Sequence, residues 1–193
     1  MELIIASNNS HKLTEIKAIL GSRFDKILSL KEANINHETV EDGKTFLENA
    51  IKKAREITEI TGGYALADDS GLCVDALGGA PGVYSARFCG EHGNDKGNND
   101  LLLEKLEGIT NRSAHFTAAI ALSCPNGEIL TAEGHFYGEI GFEEKGENGF
   151  GYDPLFFVPE YGCTSAEMSP EQKNEISHRK KALEELLEKL NNR

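Results

Sequence analysis

Two neighbouring carboxylates, Asp68 and Asp69, directly follow an apolar run at residues 64–67 that has the composition of a buried strand. Acids at the end of such a strand in an α/β protein lie where ligand sites form, beyond the strand ends. Adjacent strand residues point to opposite faces, so we expect one acid to enter a site and the other to support it. A turn is the alternative, because Asp-Ser-Gly is good turn chemistry. The glycine-rich residues 78–82, which come next, favour a functional site.

A second acidic group lies upstream, at Glu38, Glu41 and Asp42. Divalent cations such as Mg²⁺ typically bind one or two protein carboxylates together with substrate phosphates and water. Glu41 could therefore hold a metal together with Asp68 or Asp69. A solvated acidic loop is the alternative interpretation.

Residues 7–12, Ser-Asn-Asn-Ser-His-Lys, follow a short strand and open a predicted helix. A helix N-terminus presents unpaired N–H groups and the positive end of the helix dipole, which favour anions. His11 and Lys12 stand there in place of the usual acids, and a bound phosphate would compensate this charge. The glycine spacing of a P-loop is missing from this stretch, and a solvated lysine on a marginal helix is an equally good interpretation.

An aromatic group follows the glycine-rich residues 146–149: Phe150, Gly151, Tyr152 and Asp153. An aromatic ring, a glycine and an acid in succession could form a slot in which a nucleotide base stacks. Aromatic residues at the start of a strand are more often part of the core, so a packing role is the alternative.

A cationic group lies near the C-terminus, at Lys173, His178 and Arg179. These side chains can converge if Ser177 breaks the helix and caps a new one, whereas one continuous helix would place Lys173 and Arg179 on different faces. Cations for phosphates, carboxylates for a metal and an aromatic ring for a base together indicate a nucleotide site.

Helices and strands must position these groups, and their predicted order changes along the chain. We predict an α/β protein with a mixed sheet, because helices and strands alternate first and a hairpin follows. The local signals are strands at 3–6, 27–30, 64–67 and 155–158, a helix over 13–20, a capping box from Thr45 to Glu48, an Asn-Gly hairpin between 115–124 and 128–137, and a Ser-Pro-Glu-Gln helix start at residues 169–172.

Length and composition restrict the class of protein. A chain of 193 residues suits a single domain over residues 1–193 with two lobes. The net charge of −12 repels nucleic acid, although a local positive pocket can still bind a small anion. The N-terminus lacks the pattern of a signal peptide, apolar runs are too short to cross a membrane, and the four widely spaced cysteines suit reduced thiols, so we expect a cytoplasmic protein.

Five blocks of sequence, in order and over the whole chain, resemble the inosine-triphosphate pyrophosphatase family. The match is specific because it depends on the order and spacing of all five. A serine at position 7 is the visible departure, since the family more often has threonine there, and both offer a hydroxyl. The blocks are SNNSHK, EDGKTFLENA, LADDSGLCVDALGGAPGVYSARF, GFGYDPLFFVP and SPEQKNEISHRKKAL.

The resemblance implies an enzyme that hydrolyses ITP, dITP and XTP to the monophosphate and pyrophosphate, with Mg²⁺ and usually as a homodimer. It also implies a long mixed sheet that divides two lobes, with the site in the cleft between them. Glu41 and Asp69 would serve the metal, and Asp69 would also be the general base. Substrate contacts would come from Ser7, Asn8, Asn9, Ser10, His11, Lys12, Ser70, Phe150, Gly151, Tyr152, Asp153, Lys173, His178 and Arg179.

Two other functions remain open at this stage. One is a related pyrophosphatase for other modified nucleotides, pyrimidines included, and the other is a nucleotide-binding regulator without hydrolysis. The paired carboxylates argue against the regulator, because acids near a phosphate are unfavourable unless a metal intervenes. A serine hydrolase built on Ser70 is disfavoured, because the chain lacks a Gly-x-Ser-x-Gly motif.

Overall fold

Strands and helices alternate along the chain in the computed structural model, which describes residues 1–192. The strands are β1 (Glu2–Ile5), β2 (Lys26–Ser29), β3 (Tyr64–Val74), β4 (Ser113–Ser123), β5 (Ile129–Ile140), β6 (Phe156–Val158) and β7 (Cys163–Thr164). The helices are α1 (Ser10–Leu20), α2 (Phe46–Thr61), α3 (Asp95–Lys105), α4 (Pro170–Ile176) and α5 (His178–Asn191). No helix within these described residues is long and apolar enough to cross a membrane.

The strands form a seven-stranded sheet in the order β2-β1-β3-β4-β5-β6-β7. The pairs β1–β2 and β1–β3 are parallel, whereas β5–β6 and β6–β7 are antiparallel. The prediction of an α/β fold with a mixed sheet is therefore confirmed.

The chain divides into two compact units, to both of which β3, β4 and β5 contribute. The first unit comprises Met1–Asp69, Ala118–Gly134 and Arg179–Arg193, and the second comprises Ser70–Thr117 and His135–His178. In the first unit a large core cluster includes Ile16, Leu66 and Leu186. In the second unit the core includes Leu72 and Phe156. A single domain with two lobes stays a prediction.

Strand β3 is longer than the sequence pattern predicted. It continues from Tyr64 through the acids to Val74, so the expected end at Ala67 is wrong. Gly71 lies inside the strand, where an added Cβ would come 2.3 Å from the Ser85 hydroxyl oxygen. The Asp-Ser-Gly stretch is therefore extended backbone under close packing, and the turn interpretation is wrong.

The cap of α2 differs in detail from the predicted capping box. The Thr45 hydroxyl accepts a hydrogen bond from the Glu48 N–H at 3.1 Å, as predicted. The Glu48 carboxylate, however, accepts from the N–H of Lys44 at 2.6 Å and not from that of Thr45. The buried face of this helix is not purely apolar, because it includes the polar Asn49 and Lys53.

The C-terminal helices agree with their local signals. Ser169 caps α4 in a reciprocal capping box with Gln172, and Pro170 occupies the first turn. Ser177 has an extended backbone (φ −64°, ψ 149°) and separates α4 from α5. The helix break that the sequence suggested at Ser177 is therefore present.

The late hairpin also follows its prediction, whereas the expectation of buried cysteines holds for Cys124 alone. The N–H of Gly127 donates to the carbonyl of Cys124 at 2.9 Å, which closes the turn between β4 and β5. Gly127 has a φ of +86°, a conformation that glycine adopts easily and that explains the Asn-Gly signal. All four cysteines are thiols, with Cys124 buried and the others half-buried.

Candidate active site

The two neighbouring acids of β3 have separate sets of partners. Asp68 and Asp69 are 5% and 9% exposed, so both carboxylates are nearly withdrawn from water. The side chain of Asp68 contacts cations from α1 and α5, whereas that of Asp69 contacts polar side chains from α2. Alternation along a strand predicts such a division, because successive side chains point to opposite faces.

Asp68 is held between two cations of the first unit. Its Oδ1 accepts from Lys12 Nζ at 2.6 Å and its Oδ2 accepts from Arg179 Nε at 2.6 Å. Arg179 in turn donates from Nη1 to both carboxylate oxygens of Glu15, at 3.1 and 3.2 Å. Burial alone would raise the pKa of Asp68, but Arg179 and Lys12 outweigh it and hold this pKa far below its usual range. Because both oxygens are engaged, Asp68 is suited to orient Lys12 and Arg179.

Asp69 shares one ammonium group with Glu41. Lys53 Nζ donates to Asp69 Oδ1 and to Glu41 Oε1, at 3.1 Å each. Asn49 Nδ2 donates to the other oxygen, Asp69 Oδ2, at 3.0 Å. The Asn49 amide is itself oriented, because its Oδ1 accepts from the Gly43 N–H at 2.8 Å.

The protonation behaviour of Asp69 differs from that of Asp68. Burial is the main cause that raises the pKa of Asp69, and the negative charge of Glu41 adds to it, although Lys53 and Asn49 act in the opposite sense. For Lys53, burial lowers the pKa, but Asp69 and Glu41 outweigh burial and the net pKa is raised. A carboxylate with a raised pKa is suited to accept a proton near neutral pH.

Side chains of the loop before α1 accept hydrogen bonds from backbone N–H groups. Asn9 caps the helix, since its Oδ1 accepts from the N–H groups of His11 and Lys12 at 3.0 and 3.1 Å. The Ser7 hydroxyl accepts from the Asn9 N–H at 3.1 Å, and Asn8 Oδ1 accepts from the Lys31 N–H at 2.9 Å. Ser10, which is exposed, begins the helix. The helix N-terminus predicted for this stretch is therefore present, and its role as a phosphate site stays a prediction.

In the second unit, Asp153 organises the predicted aromatic group. Its Oδ2 accepts from the Phe150 N–H at 2.9 Å and from Lys173 Nζ, and its Oδ1 accepts from the Ser165 hydroxyl at 2.9 Å. Gly149 has a φ of +79°, and an added Cβ would come 2.1 Å from Asp153 Oδ2. Asp153, which is 2% exposed, thus holds the loop and Lys173 together.

The aromatic residues of this loop have different environments. Phe150 is 55% exposed, and Lys173 Nζ lies 5.4 Å from the centre of its ring. Tyr152 is 4% exposed and donates from its hydroxyl to the Ser85 carbonyl at 2.7 Å. Gly151 donates its N–H to Asp95 at 2.9 Å. Phe150 is thus the aromatic side chain that a ligand can reach, whereas Tyr152 is part of the packing.

His178 and Ser70 are the remaining predicted site residues, and both lie in the second unit. The ring of His178 stacks on that of Phe116, with centres 5.3 Å apart and planes 18° apart. Ser70, the first residue of the second unit, is half-buried in β3. Lys173, His178 and Arg179 therefore contact different residues, among them Asp153, Phe116 and Asp68 respectively.

Sequence reasoning missed Asn49 and Lys53, the two α2 residues that contact Asp69. Both lie on the buried face of α2, spaced with Phe46, Ala50 and Ala54 at the intervals of one helical stripe. Polar residues within an apolar stripe were the available signal, because a buried amide or ammonium requires a buried partner.

Glu41 and Asp69 are chemically suited to hold a divalent cation. The two carboxylates already converge on one positive group, the ammonium of Lys53. Within residues 1–192, no group of three or more His, Cys, Asp or Glu side chains is arranged to hold a metal ion alone. Two carboxylates fit Mg²⁺ when a substrate supplies further oxygen ligands.

The fold and this site define an α/β protein with a mixed seven-stranded sheet and a carboxylate–lysine centre on its third strand. The chain belongs to the Ham1 family, whose match covers residues 3–189. The predicted family resemblance is thereby confirmed.

Similar proteins match this chain over nearly its whole length. The dITP/XTP pyrophosphatase of Clostridium tetani is 52% identical over 97% of this chain and 95% of its own length. That of Desulforamulus reducens is 54% identical over 99% of this chain and 96% of its own length. The structure of the Staphylococcus aureus Ham1 protein, 42% identical, covers 100% of this chain and 99% of its own, with a TM-score of 0.93.

Proposed function

We propose that the protein hydrolyses noncanonical purine nucleoside triphosphates (ITP, dITP and XTP) to the monophosphate and pyrophosphate. The observation that carries this proposal is the identity of more than half of the residues with dITP/XTP pyrophosphatases over almost the entire chain. The convergence of Glu41 and Asp69 on a single cation supports it independently, because a triphosphate needs a site that balances carboxylates with positive charge.

Asp69 is proposed as the general base, and Glu41 with Asp69 as the ligands of Mg²⁺. When bound, Mg²⁺ would supply positive charge that stabilises the leaving pyrophosphate. Asp69 takes a proton from the water that attacks the α phosphorus, the bond to the bridging oxygen breaks, and pyrophosphate leaves with its electron pair. Burial supports the role of Asp69, since it raises the pKa of this carboxyl.

The start of α1 is proposed to bind the phosphates. The α1 N-terminus combines the positive end of a helix dipole with the Lys12 ammonium, which Asp68 orients. The other proposed phosphate contacts are Ser7, Asn8, Asn9, Ser10 and His11.

The second unit is proposed to contribute base recognition. The exposed Phe150 ring offers a stacking surface, and Lys173, Gly151 and Ser70 are further proposed contacts. The buried Tyr152 and Asp153 are proposed to act on the base by holding this loop in place. A 6-keto base requires a donor, and adenine, with an amino group there, would leave that donor unpaired at a cost of about 1–3 kcal/mol. Because Arg179 already donates to Asp68 and Glu15, we favour His178 as this donor and Arg179 as a positioning residue.

A panel of triphosphates tests the proposed substrate class. Pyrophosphate release from ITP, dITP and XTP should exceed that from ATP, dTTP and UTP by about tenfold or more, because adenine leaves a donor for the purine 6-keto group unpaired and the smaller pyrimidine ring does not bring its keto group to that donor. The assay is run with Mg²⁺ and again with excess EDTA, which should abolish release. Equal turnover of dTTP or UTP would favour a pyrophosphatase for other modified nucleotides. Tight binding of ITP without any release would favour a regulator.

Replacement of Lys12 by alanine should weaken binding of the triphosphate. We expect KM for ITP to rise at least about tenfold, because a charge-assisted hydrogen bond of about 1.5–3 kcal/mol is lost. Lys17→Ala is the matched control, since Lys17 lies on the same helix in an exposed pair with Glu32. If KM and kcat of Lys12→Ala equal those of wild type, Lys12 has no role toward substrate.

A homodimer and a cytoplasmic location stay predictions. The family resemblance implies the first, and sedimentation of the purified protein would measure it.

A further inference from the structure

Lys53 occupies the point where the proposed metal ligands meet. Its Nζ donates to Glu41 Oε1, to Asp69 Oδ1 and to the main-chain carbonyl of Asp68, each at 3.1 Å. An ammonium group has three N–H donors, so these contacts use its full capacity. The residue is 9% exposed, which makes the arrangement a built part of the protein interior.

The neighbouring lysine shows that this placement is specific. Lys52 Nζ contacts Asp42 and the Val40 carbonyl, at 2.7 Å each, and its side chain is 34% exposed. Lys53, one residue on, turns inward and places one positive charge between two carboxylates that would otherwise repel each other. The side-chain exposure of Lys53 is 11% and that of Asp69 is 13%, so water screens their interaction only weakly.

We propose that Lys53 is the resident cation of the Glu41–Asp69 pair and that its ammonium must move away before these carboxylates bind a divalent ion. The inference rests on the proposed function only in that Glu41 and Asp69 are taken as the metal ligands. Lys53 is thus a positioning residue, which keeps the two acids together while the site is without nucleotide.

A divalent ion cannot enter this pair as a simple addition. Lys53 and the ion would be two cations within the same partly buried space, where repulsion is strong. Rotation of Asp69 away from Lys53 is opposed by Asn49, which holds Oδ2 at 3.0 Å and is itself held by Gly43. Metal binding is therefore weak until a phosphate offers the ammonium another acceptor, so metal and triphosphate bind cooperatively.

Binding of Mn²⁺ alone, without nucleotide, tests the proposal. Lys53→Met removes the charge and keeps an unbranched side chain of similar length. We expect Lys53→Met to bind Mn²⁺ about tenfold or more tightly than wild type, because the repulsion between the ammonium and the ion is removed. Electron paramagnetic resonance of unbound Mn²⁺ measures this affinity. Lys53→Arg, which keeps the charge, and Lys52→Met should both retain the weak wild-type affinity. The double variant Lys53→Met, Glu41→Gln should lose the gain, because the site then has only one carboxylate.

A second measurement, the change in melting temperature on adding Mn²⁺, tests the proposal even if Lys53→Met is less stable than wild type. Mn²⁺ should raise the melting temperature of this variant by more than that of wild type, because the ion replaces the lost counter-charge. Equal or weaker Mn²⁺ binding by Lys53→Met, or an equal rise in melting temperature, would overturn the proposal. The result is separate from the proposed function: a wild type that fails to release pyrophosphate from ITP would refute the activity, whereas Mn²⁺ affinity in these variants decides the role of Lys53.

Discussion

Asp69→Asn should reduce pyrophosphate release from ITP by at least about a thousandfold, while binding of ITP in the absence of a divalent ion changes little. General base catalysis typically contributes about 10²–10⁴ to a rate, and the same change removes one charge from the proposed metal pair. Asparagine has the size of aspartate and keeps an acceptor for Lys53, so the loss should appear in kcat. Single-turnover release of pyrophosphate and calorimetric titration with ITP measure the two quantities.

The control for this prediction is Asp100→Asn. Asp100 is an exposed acid of α3 that pairs with Lys96, so its replacement should leave turnover unchanged. Substantial turnover by Asp69→Asn would remove Asp69 from the role of general base. A large rise in the ITP dissociation constant with unchanged kcat would instead make Asp69 a binding residue.

Asp68→Asn should be the most destabilising of the substitutions considered. Asp68 is the common partner of Lys12 and Arg179, and all contacts of its carboxylate are to cations. Removing one partner of a buried ion pair typically costs about 3–5 kcal/mol, because the remaining charges stay buried without compensation. Urea unfolding should show this loss, whereas Asp42→Asn, in an exposed pair with Lys52, should lose about 1 kcal/mol or less.

The pH dependence of the unfolding free energy shows whether Asp68→Asn loses stability through a lost charge or through lost packing. Because cations hold the pKa of Asp68 far below its unfolded value of about 3.9, its stabilisation is fully present above that pH and is lost as the pH falls. The difference in unfolding free energy between wild type and Asp68→Asn should therefore be full at neutral pH and shrink below about pH 4. A difference that stays constant with pH would indicate lost packing and not a lost charge.

Local sequence signals were sufficient to predict several structural elements. The start of α4 depends on Ser169, Pro170 and Gln172, and the break before α5 depends on Ser177. These signals act over a few residues, since a capping side chain bonds to backbone groups one turn away. The hairpin turn at Gly127 is predictable for the same reason.

The extent of β3 could not be predicted in this way. Asp68 and Asp69 look like the end of a strand because buried carboxylates are unfavourable without partners. Their partners, Lys12, Lys53 and Arg179, are distant in the chain and reach the acids only in the folded protein. Three cations thus permit a strand interior that the local pattern disfavours.

The sequence by itself determined the family, the mixed α/β fold and the two acids of β3 as candidate site residues. Ordered motifs and local periodicity are properties of the sequence and can be recognised without the folded structure. Only the tertiary structure decided which side chains surround each acid. Asp68 is saturated by Lys12 and Arg179, whereas Asp69 and Glu41 share Lys53. The physical reason is that the role of a carboxylate depends on burial and on the charges around it, and both are set by residues far away in the chain.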